Sequence, residues 1–120
     1  MGEEVSIADV VKELELEKVR TTILNLKVLL MEYNMILPRL RVRDFKEIAL
    51  KNIKKMLAEI QATSWPAEMK EQVKGLESLL ERLLEPIKSE DYTRFQPLHN
   101  AVKRNFELIE EKFMGIKSQN

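Results

Sequence analysis

The chain has 120 residues, with 20 Lys+Arg against 20 Asp+Glu, one His, no Cys, three Gly and four Pro. That is one domain's worth of protein, of a mass at which folding buries roughly two-thirds of the unfolded surface without disulfides or structural metal. The balanced charge exerts no global pull on nucleic acid, and the missing cysteines exclude thiol catalysis, thiolate zinc sites and iron–sulfur clusters.

Leu, Glu, Lys, Ile and Met dominate while Gly and Pro punctuate, which predicts an all-α chain. At the N-terminus, Ile7, Val10, Val11 and Leu14 form a short apolar stripe behind a Ser6 cap. From Leu16 the residues Leu16, Val19, Ile23, Leu26, Leu30, Tyr33 and Leu37 follow at steps of three and four, the seam of a packed helix that Pro38 stops. The second helix, Val42 to about Ala62, sets Val42, Phe45, Ala49, Ile53, Met56 and Ile60 on one face, and Ser64-Trp65-Pro66 breaks it. Trp65 in that turn is expected to cover the open end of the core. A third helix carries Met69, Val73, Leu76, Leu80, Leu83 and Ile87, with Pro86 at its end and Gly75 away from its Leu face. Ser89 before Glu90 and Asp91 reads as the next cap, and the fourth helix runs Tyr92, Phe95, His99, Val102, Phe106, Ile109, Phe113 and Ile116.

The spans 16–37, 42–62, 66–87 and 97–116 are each about 30–33 Å long at the α-helical rise. Four equal rods with short turns predict a single domain over 1–120, an antiparallel up-down-up-down four-helix bundle over 16–117. Residues 1–15 form an acidic N-terminal helical appendage. Its stripe is rotated roughly 140° from the Leu16–Leu37 seam at 100° per residue, so either the chain bends near Leu14–Leu16 or the stripe packs on something other than the main core. Residues 90–96, before Pro97, are a kinked extension of the fourth helix.

Little in the chain supports catalysis. A single His, with Gln96 rather than Glu three residues before it, assembles no ferritin-like metal site, and no Gly-rich phosphate loop or nucleophile elbow occurs. The Arg94-Phe-Gln-Pro-Leu-His99 segment is similar in its Arg-x4-His spacing to the ribonuclease motif of HEPN-type helical domains. Phe95 after the Arg and Pro97 between the pair depart from that pattern, and His99 falls on the apolar seam. No catalytic residue, metal or cofactor is therefore expected. The most apolar window, Val28 to Leu37, is interrupted by Glu32 and Asn34, and Met1-Gly2-Glu3-Glu4 lacks the features of a signal peptide. The expectation is a soluble cytoplasmic protein without membrane contact.

Charge is unevenly spread. Residues 38–55 hold seven basic residues against Asp44 and Glu47. Arg43, Lys46, Lys51, Lys54 and Lys55 lie on the half of the second helix opposite its apolar face, a stripe suited to the phosphate backbone of RNA or DNA. No aromatic residue interleaves with it, so base stacking is not expected.

The most informative feature is a second apolar stripe on the first helix. Leu24, Val28, Met31 and Met35, at steps of four, three and four, lie roughly 130° from the Ile23–Leu26–Leu30 seam. Leaving them in water forfeits about 1.5–3 kcal/mol each, and contiguous apolar patches mark interaction sites. Either the N-terminal segment folds back over the stripe, or a partner covers it. The leading expectation is a non-catalytic interaction or scaffolding subunit that self-associates or binds a helix through Leu24, Val28, Met31 and Met35. The alternative is a helical subunit of a nucleoprotein complex that uses the basic second helix.

Overall fold

The computed structural model describes residues 6–39 and 43–118. It contains four long helices: α1 (Ile7–Ile36), α2 (Arg43–Gln61), α3 (Lys70–Lys88) and α4 (Tyr92–Ser118). Short 3-10 turns lie at Leu37–Arg39 and Ala67–Met69, and no strand occurs among the described residues. The all-α expectation is thus met. Residues 1–5 of the acidic segment and Val42, expected to open the second apolar face, lie outside the described residues, as do the side chains of Leu37 and Arg43.

Each expected seam becomes one wall of a single core. Val19, Ile23, Leu26, Leu30 and Tyr33 from α1 meet Ala49, Ile53, Met56 and Ile60 from α2. Met69 and the Leu-rich face of α3 meet Phe95, Val102, Phe106, Ile109 and Phe113 from α4. The seam positions are the ones that side chains at three- and four-residue steps bring onto one face. Polar links tie neighbouring helices at the core's edge. Thr22 and Thr63 share a 2.7 Å hydrogen bond, and Asn25 and Asn52 donate to Glu59 and Glu32.

The helix ends follow capping chemistry. Ser6 Oγ accepts from the Asp9 amide, as expected of an N-cap. Trp65 Nε1 donates to the Ile60 carbonyl at 2.9 Å, so its ring covers the α2–α3 end of the core while its nitrogen satisfies a terminal carbonyl. At the α3–α4 junction the cap differs from expectation. Ser89 closes α3, its Oγ donating back to the Glu85 carbonyl, while Asp91 caps α4 by accepting from the Arg94 amide. Between them Glu90 adopts φ 58°, and the Glu90 and Asp91 amides donate to the Ile87 and Pro86 carbonyls. This is the Schellman closure, with Glu where Gly usually sits. Lys46 of α2 reaches over this turn, donating to the Lys88 carbonyl at 3.1 Å and pairing with Glu90 at 3.5 Å.

Gly75 has a packing role. A Cβ there would lie 2.7 Å from the amide of Asn105 on α4. With that amide oriented to satisfy both neighbours, its nitrogen donates to the Gln72 carbonyl at 3.0 Å and its oxygen accepts from the Leu76 amide at 3.2 Å. Asn105 therefore inserts into the backbone ladder of α3, which only a residue without a side chain at 75 permits.

From Ile7 on, the N-terminal segment forms the first turns of α1, which runs as one continuous helix through Leu14–Leu16. At 30 residues α1 is about 45 Å long, against 19 residues for α2. Because Thr22 already lies beside Thr63, just past the end of α2, the first turns of α1 overrun it. The molecule is accordingly elongated, 64 × 22 × 19 Å.

Candidate interaction surface

The second stripe on α1 is where the molecule departs from an ordinary core-facing helix. Leu24, Val28, Met31 and Met35 are 50, 55, 59 and 74 % exposed. Residues 7–15 of the N-terminal segment do not fold back over them, because they continue the same helix. Its own apolar residues are open too: Val10, Val11 and Leu14 are 43–58 % exposed and Ile7 84 %. A single helix therefore presents eight large apolar side chains to solvent, while its opposite side supplies the core.

Polar residues border this face without covering it. Lys27 pairs with Glu110 of α4 at 3.3 Å, and Arg20 with Glu17 at 3.6 Å on α1 itself. Glu32 accepts from Asn52. The Lys27 and Glu32 contacts tie the two rims of α1 to α4 and α2 and leave Leu24, Val28, Met31 and Met35 between them clear. Beside the overrunning turns lies an open groove of about 450 Å³, lined by Val11, Leu16, Trp65, Pro66 and Ile116 among others. The overhang is thus supported on only part of its circumference.

The basic stripe of α2 is only partly assembled. Lys51, Lys54 and Lys55 are exposed and, among the described residues, engage in no ion pair. Lys46 instead spans the α3–α4 turn, and the side chain of Arg43 is outside the described residues. Arg39, from the same basic run, stacks its guanidinium 5.8 Å from the Phe45 ring centre.

Arg94 and His99 are not brought together. Arg94 is exposed and pairs with Asp91 at 3.9 Å, whereas His99 is buried, stacked on Phe95 at 5.7 Å and tilted against Tyr33 at 5.4 Å. Five residues along a helix turn these side chains well away from each other. Burial, and then the nearby Lys103 ammonium, hold the His99 imidazole below its usual 6.5. Burial likewise pushes the Tyr33 hydroxyl far up. Among the described residues neither Tyr33 Oη nor His99 Nδ1 finds a hydrogen-bond partner. This ring cluster is part of the core: Tyr33, Phe95 and His99 are all buried.

Among the described residues no group of three or more His, Asp or Glu is placed to hold a metal ion, and no helix is long and apolar enough to cross a membrane. The chain matches no family model, no curated protein and no solved structure.

Proposed function

We propose that this chain is a non-catalytic interaction or scaffolding subunit, an up-down-up-down antiparallel four-helix bundle whose α1 binds a helix, its own copy's or another protein's, through Leu24, Val28, Met31 and Met35. The topology is supported by the pairings 22–63, 25–59 and 32–52, in which α2 numbers fall as α1 numbers rise, and by the short α3–α4 connection. The function rests on one observation: four large apolar side chains at helical steps stay half or more exposed on a helix whose other side is fully packed. Burying them against a partner recovers about 1.5–3 kcal/mol each at full burial, and Met31 and Met35 adapt readily to a facing surface. This reading is preferred to phosphate-backbone binding by α2 because Lys46, expected in that stripe, is engaged by the α3–α4 turn.

Sedimentation equilibrium on the wild type and on Leu24→Glu/Met31→Glu tests it, together with capture experiments using both as bait. Association with itself or with a captured protein is expected for the wild type and lost in the variant. A wild type that stays monomeric at all concentrations, while both baits capture the same proteins, removes the reading.

A further inference from the structure

Because α1 is one unbroken helix, its outward residues join into a single seam. From Ile7 to Met35 the positions alternate steps of three and four without exception, and the only polar occupants are Glu17 and Thr21. This is the a/d pattern of a two-stranded coiled coil, carried on the side of α1 away from the core. Resting on the interaction reading above, we infer that the occupant of this seam is α1 of a second copy, running antiparallel about a twofold axis level with Val19. In that register Ile7 lies against the partner's Met31, Val10 against the partner's Val28, and Leu14 against the partner's Leu24. Glu17 meets the partner's Thr21 at the centre.

The fit of the overhang favours this orientation. The turns carrying Ile7, Val10 and Leu14 run past the end of α2. Antiparallel pairing lays each overhang on the stretch around Leu24–Met31 of the other copy, which its own bundle holds in place. Parallel pairing would set two overhangs, each supported on part of its circumference, against each other.

Polar matching points the same way. In the antiparallel register the apolar residues from Ile7 to Met31 face apolar residues, Met35 reaches past the partner's Ile7, and the two polar positions face each other at the dyad. There Arg20, already 3.6 Å from Glu17 in its own chain, neutralises the carboxylates, and along one rim Glu13 comes beside the partner's Lys27. A parallel in-register pair would instead place Glu17 against Glu17 inside the seam, where like charges taken out of water repel. Both pairings draw Lys27 away from Glu110, but the parallel pair's compensating rim contact, Lys27 with Glu32, would also compete with the bond that Glu32 already accepts from Asn52. The six apolar side chains that this register pairs, at 43–84 % exposure, offer on the order of 600 Å² per copy, most of the roughly 800 Å² that each partner contributes to a stable interface of standard size.

The absence of cysteine makes orientation directly readable. Leu14→Cys and Leu24→Cys each place one thiol on the exposed face of α1, and far-UV circular dichroism checks that both variants fold. Each is oxidised alone, and the two are oxidised as an equilibrated mixture. A disulfide between 14 and 24 in the mixture, with neither variant cross-linking to itself, is the expected result, since a disulfide needs Cα atoms within about 7 Å. Self-cross-linking of either variant alone overturns the antiparallel register while leaving self-association standing. No cross-link in any sample, with a wild type that sediments as a monomer, removes the second copy as occupant. The broader helix-binding reading is then decided separately by the capture comparison with Leu24→Glu/Met31→Glu.

Discussion

Leu24 and Leu26 sit two residues apart on α1, carry the same side chain and belong to seams with the same spacing. Yet Leu26 is 1 % exposed and Leu24 50 %. Three- and four-residue spacing identifies a face built to be packed. What packs on it depends on how many neighbours the chain itself can bring up. The chain's own helices fill the inner seam of α1, whereas Leu24, Val28, Met31 and Met35 of the outer one stay half or more exposed.

The largest expected effect comes from treating the two leucines identically. Leu26→Ala should cost about 2–5 kcal/mol of unfolding free energy, because it opens a cavity among side chains that cannot fully close around it. Leu24→Ala should change the stability of the isolated chain by less than about 0.5 kcal/mol, and weaken association instead. Chemical denaturation at low protein concentration, compared with sedimentation at high concentration, separates the two. Equal losses of stability from both substitutions would mean that the outer face is packed within one copy.

The same contrast explains what was legible in the sequence. Every inner seam could be read, because a buried helix face repeats its apolar residues at fixed steps and Pro38 and Pro66 mark the breaks. The continuity of α1 was harder to read. Ile7, Val10 and Leu14 are rotated away from the inner seam, and that rotation suggests a bend only if each helix is assumed to have one packed face. With two faces, the same residues simply extend the outer one. Pro97 also obscured α4. It is the sixth residue of that helix, where a missing amide forfeits one bond, to the Thr93 carbonyl, and Thr93 is exposed to water. The role of Lys46 could not be read at all, because it depends on the α3–α4 turn being folded beneath it. The same holds for the choice of Asp91 over Ser89 as the α4 cap, since both are good capping residues and tertiary geometry selects between them.

Acid should distinguish the faces next. His99 packs against the inner seam through Tyr33 and is held below its ordinary 6.5 by burial and by Lys103. The unfolded chain therefore binds the proton more readily than the folded one. Stability is full above about pH 6.5 and declines as pH falls below it, by at most about 1.4 kcal/mol per pH unit. Denaturation midpoints at pH 7.5, 6.5 and 5.5 should show this decline, and His99→Leu should flatten it. A midpoint that rises on acidification would mean the folded imidazole has an acidic partner.

The smallest effect concerns polar atoms on the two seams. The polar groups of the outer seam, Glu17 and Thr21, have partners: Glu17 pairs with Arg20, and Thr21 Oγ1 donates to the Glu17 carbonyl. Tyr33 Oη on the inner seam is enclosed without a partner, in a residue with 0 % exposure. A buried hydroxyl in that state costs about 1–3 kcal/mol of desolvation that no bond returns, whereas its removal leaves the ring and its packing in place. Tyr33→Phe should therefore raise the stability of the isolated chain, by about 1 kcal/mol if the surroundings close over the vacated space. Association through α1 should not change, because the substitution lies on the other side of the helix. A loss of stability instead would show that the hydroxyl is bonded in solution. His99 Nδ1, the other unpartnered atom of the same ring cluster, is then the acceptor to test, and His99→Leu combined with Tyr33→Phe in a double-mutant cycle would measure that bond as the departure from additivity.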